Sequence, residues 1–530
     1  MARRNGMFRQ ISQNLYDEGL RQEVADKMAQ QAMRMGAEMK KKMKKMTGHA
    51  GGQGGMTTSV DIFMMCKPDM KIKCNATTYK FRTYDAHCNN VEGSGFEGTA
   101  GMKFIRDVPV GQYDPKDITV YEELIPATEQ GSFKCQDKCK YLIDFRVNFE
   151  SMTSIFSSDG CAPRTNLPGP RLVSRTVISN QDIPSPRSTH FYVQFGQFQS
   201  HDVAFTPEEE VEGCCENKNQ ASCFPIDVKN DQFFRSEGLE CLEFTRSVPF
   251  CEEQGGAREQ LNGITAFVDA SNIYGSDDKV GLAIRTGQEG LLKTENNFLP
   301  LIDGIEIAGD VRAREMPGLA AMHLIWVREH NRVAKILAKS FKTDEEIFQH
   351  ARRIVTAEYQ NVVYSEYLEG ALGKNDLKPT IQGTIYNPKV KAEITNEFAT
   401  AVYRFGHSML NGQVKVLALN EPSQLVKKYN LSDHFFDTEQ YYQGFENVLE
   451  GLMHQEALNN DHAVTEQVSN LLFANVLGHG NDLVARNIQR GRDHGLPGFC
   501  CYYKRHVDPS FDCSGGWDKP MKYINHCLSF

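Results

Sequence analysis

The sequence predicts a mainly α-helical protein whose loop-rich N-terminal part is cross-linked by disulfides. From about residue 186, apolar side chains recur at helical spacing, while alternating strand patterns are scarce. The cysteines are also unevenly placed: eleven of the 15 lie between Cys66 and Cys251, none lies in 252–499, and four follow from Cys500 onward. This distribution indicates disulfides in the first half and an ordinary apolar core behind them.

Composition excludes several functional classes. The 530 residues, of which 40% are hydrophobic, are ample for a large core and too apolar for general disorder. The formal net charge of −9 argues against binding to nucleic-acid backbones, so we expect no nucleic-acid partner. No run approaches the roughly 18 apolar residues of a membrane span, so we expect no transmembrane segment.

Cysteine usage and two glycosylation sequons, at Asn75 and Asn430, predict an extracellular or secretory-granule glycoprotein. The alternative is a cytosolic protein with many buried thiols. Residues 1–30 contain no apolar segment of the kind that a secretory signal needs. We expect residues 1–60 to form a basic, methionine-rich, disordered leader, residues 61–165 an irregular cysteine-containing segment, and residues 166–530 the helical domain.

Individual helices follow from apolar spacing and from terminal residues. The first is expected at Ser188–His201, and a long one at Pro317–Phe341, with proline in its first turn. A capping box at Thr343–Glu346 opens another, which continues to about Leu372. Further helices are predicted at 391–411, 437–457 and 464–490.

Gln197 and His201 are four residues apart, so a helix places them on one face. A histidine beside an amide can hold a small polar ligand and move its proton, although a helical histidine is by default a packed core or surface residue. Arg312 and Glu315 stand just before the helix that starts at Pro317. An arginine there can clamp an anion or form an ordinary salt bridge.

Side-chain oxygens of Thr265, Asp269 and Ser271, with the backbone carbonyl of Phe267 between them, recur at alternate positions. Such a hard-oxygen set suits Ca²⁺ better than Zn²⁺. The alternative is an ordinary polar surface loop, and we prefer it unless a second carboxylate contributes to the proposed Ca²⁺ site. Asp202, which directly follows His201, is the candidate for that carboxylate.

Two later motifs suit an iron cofactor. His407 follows Gly406 on a predicted apolar helix, where a neutral histidine is a good axial ligand and glycine leaves room for a flat group. Asn487 lies on a charge-dense helix end that also carries Arg490. An asparagine there can accept the second ring N–H of a metal-bound histidine.

Together and in this order, these motifs resemble the animal haem peroxidase superfamily. The resemblance covers roughly residues 165–510, and the strings Arg258–Ser276 and Leu324–Arg332 look like family hallmarks. It implies a multi-helical fold that holds haem between a distal and a proximal helix. It also implies a peroxidase that reduces hydrogen peroxide and oxidises a small halide or phenolic donor.

The resemblance assigns roles to individual residues. It makes His201 the distal acid–base residue, Arg312 its charge-stabilising partner and Gln197 a residue of the distal pocket. It makes His407 the axial ligand of the haem iron, with Asn487 behind it. Arg404 and Arg490 would lie near the haem propionates or in the proximal hydrogen-bond network.

The resemblance also implies a calcium site and two disulfides. The implied calcium ligands are Asp202, Thr265, the Phe267 backbone, Asp269 and Ser271. The implied disulfides are Cys214–Cys223 and Cys215–Cys241.

The sequence also departs from the family pattern. Ser200 stands where members with two haem esters have a carboxylate, so the resemblance implies haem b with at most one ester link, through Glu315. Met316 follows, where some members carry a methionine linked to a haem vinyl group.

The segment at about 90–160 contains more residues than the corresponding part of family members, and we assign it no role. Family domains continue with several helices after Asp493–Gly495, whereas this chain ends at Phe530, so we expect an incomplete C-terminal part.

Two alternatives to an active peroxidase stay open. One is a haem-poor or inactive relative that acts as an adhesion or matrix protein, which is the stronger rival because the domain looks incomplete. The other is an oxygenase of the cyclooxygenase-like branch, which would need a tyrosine radical site and a hydrophobic channel. The retained Gln197 and calcium loop favour the peroxidase.

Overall fold

The structure is a computed structural model, and it describes residues 74, 80–89, 95–107, 168–209, 211, 213–250, 258–302, 305–373, 391–496, 502, 505 and 506. The predicted leader and most of the predicted segment 61–165 lie outside these residues, as do the Asn75 sequon and the four late cysteines.

Helices dominate the described residues. The α-helices are α1 (Pro170–Val177), α2 (His190–Val203), α3 (Gln232–Ser236), α4 (Ser271–Tyr274), α5 (Asp278–Ala283), α6 (Pro317–Leu337), α7 (Asp344–Val362), α8 (Leu368–Leu372), α9 (Asn396–Thr400), α10 (Glu439–Gln443), α11 (Phe445–His454), α12 (Glu466–Ser469), α13 (Ala474–Leu477) and α14 (Leu483–Asp493). A π-helical turn, Val363–Tyr367, joins α7 to α8, and 3₁₀-helices span Val402–Met409 and Leu431–Asp433.

The strands are short. They are β1 (Pro184–Thr189), β2 (Ile226–Asp227), β3 (Cys241–Leu242), β4 (Leu301–Ile302), β5 (Ile305–Glu306), β6 (Gln413–Ala418), β7 (Glu421–Asn430) and β8 (Glu456–Leu458). Antiparallel pairs join β1 to β8, β2 to β3, β4 to β5 and β6 to β7. The β6–β7 hairpin is not predicted from the sequence, because β7 is almost entirely solvent-facing and lacks a buried alternation.

The main apolar core surrounds α6, which is buried on all sides along its first half. Every residue from Pro317 to Val327 is buried, as expected for a helix at the centre of a large domain. Trp326 packs edge-on against Tyr359 of α7, with ring centroids 5.3 Å apart. Because α2 packs on α6, this core also fixes the helix that carries His201.

Helix starts that depend on local signals are confirmed. α6 begins at Pro317, and Thr343 caps α7 by accepting a hydrogen bond from the Glu346 N–H at 3.3 Å. The first predicted helix begins at His190 rather than at Ser188, because β1 occupies the preceding residues.

The three later helix predictions are wrong as continuous elements. The segment 391–411 forms α9 and a 3₁₀-helix, separated by a backbone break at Ala401. The segment 437–457 is divided at Gly444 into α10 and α11. The segment 464–490 contains three helices, because Phe473 and Gly478 adopt left-handed conformations that interrupt it (φ 59° and 77°).

Disulfides join Cys74 to Cys88, Cys214 to Cys223 and Cys215 to Cys241. The last two pairs confirm the pairing that the family resemblance implies. Within the described ranges, no helix combines the length and the apolar character needed to cross a membrane.

Candidate functional site

A cavity of about 380 Å³ is lined by α2, by the turn before α6, by the 3₁₀-helix at Val402–Met409 and by α14. A cavity of this size is in the range of small-molecule and cofactor sites. Its walls bring together all the residues predicted for the haem site, namely Gln197, Ser200, His201, Arg312, Glu315, Met316, Arg404, Gly406, His407, Asn487 and Arg490.

His201 lies near the end of α2 and is only 6% exposed. Burial, with a smaller contribution from the nearby Arg312 charge, lowers the pKa of His201 well below its usual value. The ring is therefore neutral near pH 7 and can accept a proton. Its Nδ1 lies 3.8 Å from Asp310 Oδ1 and makes no hydrogen bond within the described part of the chain, which leaves Nε2 for the cavity.

Asp310 holds Arg312 through a two-pronged ion pair. Arg312 Nε donates to Asp310 Oδ1 at 2.8 Å, and the Arg312 terminal NH2 donates to Oδ2 at 2.7 Å. A third bond, to the Ala204 carbonyl at 3.1 Å, ties Arg312 to the end of α2. Burial alone would raise the pKa of Asp310, but the Arg312 guanidinium outweighs burial and holds that pKa well below its usual range.

Sequence reasoning assigned Asp310 no role, although it lies two residues before Arg312 in the same short motif. The feature of the sequence that could have identified Asp310 is its opposite charge, two residues before Arg312. In the structure, Asp310 fixes the arginine and also faces the His201 ring, so it belongs to the site.

Glu315 and Gln197 meet at the cavity wall. Gln197 Nε2 donates to Glu315 Oε2 at 3.0 Å, and burial raises the pKa of the Glu315 carboxyl. Met316, at the N-terminus of α6, is buried against the same cavity. These positions leave Glu315 and Met316 side by side at one edge of the space that a cofactor would fill.

His407 lies on the 3₁₀-helix, and not on the longer apolar helix that the sequence predicts. Its Nδ1 is 2.8 Å from Asn487 Nδ2, while Asn487 Oδ1 accepts a hydrogen bond from Arg404 at 2.8 Å. Because an amide nitrogen only donates, the His407 Nδ1 atom is the acceptor in this arrangement. The predicted role, in which Asn487 accepts from the ring, requires the amide to turn over. Burial, with Arg404, lowers the pKa of His407 to about 3.

Three arginines line the cavity beside Asn487. Burial, followed by the charges of Arg490 and Arg486, lowers the pKa of Arg404 to about 10, and its Nε has no hydrogen-bond partner among the described residues. Arg490 instead bonds to Glu208, Asp493, Ser247 and the Thr245 carbonyl. Arg404 is therefore better placed than Arg490 to receive an anionic group, and Arg486 is a cavity residue that sequence reasoning missed.

Gly406 indicates the shape of the cavity next to His407. A Cβ atom added at Gly406 would meet nothing within 4 Å, so the cavity is open in front of this residue. An open space beside a neutral histidine, with the Arg404 Nε at its edge free of a hydrogen-bond partner among the described residues, fits a flat cofactor with acidic side groups.

Asp202 and Asp269 form a second cluster directly behind His201. Asp202 Oδ1 accepts from the Ser271 hydroxyl at 3.2 Å, and Asp269 Oδ1 accepts from the Thr265 hydroxyl at 3.0 Å. The Oδ2 atoms of both carboxylates are buried and have no hydrogen-bond partner in the described ranges. Burial raises the pKa of both groups, and Asp269 raises that of Asp202 further.

Four of the five predicted calcium residues thus interact with one another, and Phe267 lies in the same loop. No group of three or more His, Cys, Asp and Glu side chains assembles as a metal site within the described residues. A cation here would therefore depend on two carboxylates, two hydroxyls and backbone oxygens, a donor set that suits Ca²⁺.

Comparison with known proteins extends this picture. The family model described as animal haem peroxidase matches residues 147–508. The chain is 34% identical to the chorion peroxidase of Drosophila melanogaster over 474 residues, which covers 81% of this chain and 54% of that protein. It is 30% identical to the myeloperoxidase of Mus musculus over 478 residues, which covers 81% of this chain and 61% of that protein. The chain thus spans little more than half the length of these two relatives.

Solved structures share the fold. Peroxidase A of Dictyostelium discoideum superposes with a TM-score of 0.61 at 24% identity, over 81% of this chain and 78% of that one. A fatty acid alpha-dioxygenase of Arabidopsis thaliana gives the same TM-score at 18% identity, over 82% of this chain and 66% of that one. At these identities the likeness describes the fold alone.

Proposed function

Because this chain belongs to the animal haem peroxidase family, we propose that it is a haem-dependent peroxidase that reduces hydrogen peroxide and oxidises a small halide or phenolic donor. One observation carries the proposal. A single cavity is lined both by His201 with Arg312, which suit proton transfer and charge stabilisation, and by His407 with Asn487, which suit axial ligation.

The residues present fit haem b. His407 would supply the axial nitrogen, and the unpaired guanidinium edge of Arg404 would receive a propionate. Glu315 is the carboxylate available for one ester link, and Met316 is the sulfur nearest to it in sequence. When bound, the haem supplies the redox chemistry, and the protein supplies orientation, exclusion of water and proton movement.

His201 is the residue that moves the proton. As a neutral base, it takes a proton from hydrogen peroxide at Nε2 and returns it to the oxygen that leaves as water. Arg312 stabilises the negative charge that develops on that oxygen. Asp310 keeps the guanidinium in place through two hydrogen bonds, so little reorganisation is needed during the reaction.

On the proximal side, Arg404 and Asn487 act together. For His407 to hold iron through Nε2, its Nδ1 would carry the ring proton, and Asn487 would present its oxygen to that N–H. If the Arg404 guanidinium paired with an acidic group of the cofactor, Asn487 Oδ1 would be free, and the amide could turn to accept a hydrogen bond from His407. We therefore assign to Arg404 the control of the Asn487 amide, and through it of the hydrogen bond to His407.

We further propose that Ca²⁺ binds Asp202 and Asp269 together with Thr265, Ser271 and the Phe267 carbonyl. The support is the pair of buried carboxylate oxygens without hydrogen-bond partners, whose mutual repulsion a divalent cation would relieve. Because Asp202 directly follows His201, the ion would also fix the end of α2.

The three disulfides formed by the described cysteines support an oxidising compartment, so we propose that the protein is extracellular or stored in a secretory granule. The Asn430 sequon lies at the end of β7 and is partly accessible, which supports glycosylation at this position.

The proposal is tested by supplying purified, haem-reconstituted protein with hydrogen peroxide and, separately, guaiacol or bromide. We expect peroxide-dependent oxidation of at least one donor. A folded, haem-loaded protein that oxidises neither donor would contradict the peroxidase assignment and favour the adhesion or matrix alternative.

A further inference from the structure

A second cavity, of about 430 Å³, shares no lining residue with the candidate haem site. It lies between the segment 80–82 and one face of α7, and Asp269 forms part of its wall. Four cationic side chains line it, and they are Lys80, Arg82, Arg352 and Arg353. No motif in the sequence predicted this concentration of positive charge, since the four residues come from two distant segments.

The cations in this cavity form no ion pair with a described carboxylate, although the charges of Arg352 and Arg82 reach Asp269 and counteract the rise of its pKa. None of the four forms an ion pair with an acidic side chain of the described residues, although the chain as a whole carries a net charge of −9. The one carboxylate in the wall is that of Asp269, which is 2% exposed and is engaged with Thr265 and Ser271. Several like charges around one space repel each other, and a bound anion would remove that cost.

Arg352 shows that the positive charge is built into the fold. It is 6% exposed, and its terminal nitrogens donate to the backbone carbonyls of Arg82 at 3.0 Å and of Thr83 at 3.2 Å. Its guanidinium carbon lies 4.7 Å from the ring centroid of Tyr84. All of these partners are neutral, so they fix the position of the arginine without cancelling its charge.

The floor of the cavity is the loop that carries the proposed calcium ligands. The Thr356 hydroxyl donates to the Asp269 carbonyl at 3.3 Å, and the Gln360 amide donates to the Val268 carbonyl at 2.7 Å. Both donors belong to α7, so this helix connects the cationic wall to a rigid floor. A ligand would therefore enter a preformed space, and a flexible loop would not have to close around it.

We propose that this cavity binds a dianionic phosphate group, either free or carried by a small organic molecule. A phosphate presents several oxygens to several arginines at once, whereas a single carboxylate would leave part of the positive charge unpaired. The volume is in the range of small organic ligands. Phe81, which also lines the cavity, offers an apolar surface for an organic part.

The test is calorimetric titration of the full chain, in phosphate-free buffer, with inorganic phosphate and with phenyl phosphate. We expect saturable binding that weakens as salt is raised from about 0.1 M to about 1 M, because the distance over which charges attract each other shortens over that range. Tighter binding of phenyl phosphate would assign the site to an organic phosphate, and equal binding to the free ion. Binding of neither probe would overturn the proposal.

Two substitutions in the cavity and one control outside it test whether phosphate binds at this site. Arg353 and Lys80 are exposed, so Arg353→Gln and Lys80→Gln should fold normally, and each should weaken binding about tenfold. Lys339→Gln removes the same charge from an exposed position outside the cavity and should leave affinity unchanged. Equal losses in all three variants, or no loss in the first two, would contradict the assignment. The experiment needs no haem, so its outcome is separate from that of the peroxidase proposal.

Discussion

The distal and proximal walls of the main cavity are built in different ways. On the distal side, His201 belongs to a regular helix, and Arg312 is held by a buried carboxylate. On the proximal side, His407 belongs to a 3₁₀-helix, and its orientation depends on Asn487 and Arg404. Distal changes should therefore affect chemistry with the cofactor in place, whereas proximal changes should affect the hold on the cofactor.

The largest expected effect comes from His201→Ala. Loss of the acid–base residue should slow the reaction with hydrogen peroxide by about 10²–10⁴-fold while haem stays bound, as measured by stopped-flow absorption. His454→Ala, which removes a partly exposed histidine from α11, is the matched control and should react normally. Unchanged peroxide reactivity in His201→Ala would refute the acid–base assignment.

Asn487→Ala tests the proximal wall. Removing the side chain behind His407 should weaken haem affinity by about 10–100-fold, the usual cost of losing a hydrogen bond to a metal-ligating histidine. Haem transfer to an excess of apomyoglobin measures this directly. If Asn487→Ala retains haem as firmly as the unaltered protein but loses peroxide reactivity, the division between the two walls is wrong.

Asp310→Asn separates positioning from chemistry on the distal side. The substitution keeps the shape but removes the charge that holds Arg312, and we expect peroxide reactivity to fall about tenfold, the equivalent of one charged hydrogen bond. Haem retention should not change, because Asp310 does not line the cavity. A normal rate constant would show that Arg312 needs no such support.

The carboxylate pair behind α2 should affect stability and not the reaction with peroxide. Without a cation, the raised pKa values of Asp202 and Asp269 mean that the folded state holds protons that the unfolded state has released. Stability should therefore fall as pH rises from the ordinary aspartate range toward these higher values. Saturating Ca²⁺ should reverse this trend and add about 2–3 kcal/mol at a hundredfold excess over its dissociation constant.

Thermal unfolding of calcium-loaded and chelator-treated protein across pH checks this prediction. Asp202→Asn should abolish most of the calcium effect, whereas Asp278→Asn, on the exposed helix α5, should not. A calcium effect of the same size in Asp202→Asn would place the ion elsewhere.

The distal wall is built mainly from local helical features, and these are the features that the sequence predicts well. One helix suffices to bring Gln197 and His201 to a common face, and Pro317 and Thr343 mark helix starts through local chemistry. These features depend on neighbours in sequence, so they follow directly from the residue pattern.

The parts that the sequence did not predict depend on distant contacts. The break at Ala401 precedes the 3₁₀-helix of His407, and Thr400 beside it bonds to His494, 94 residues later. The orientation of the Asn487 amide depends on Arg404, and the place of Arg486 in the cavity depends on how α14 packs. No periodicity in the sequence encodes such contacts.

The most direct test of the central claim is the absorption spectrum of the full chain after haem is added to the purified protein. We predict stoichiometric binding with the strong Soret absorption of histidine-ligated haem. His201→Ala should preserve this spectrum, and His407→Ala should lose it or bind haem only weakly. A folded protein that takes up no haem, or a His407→Ala variant with an unchanged spectrum, would contradict the account.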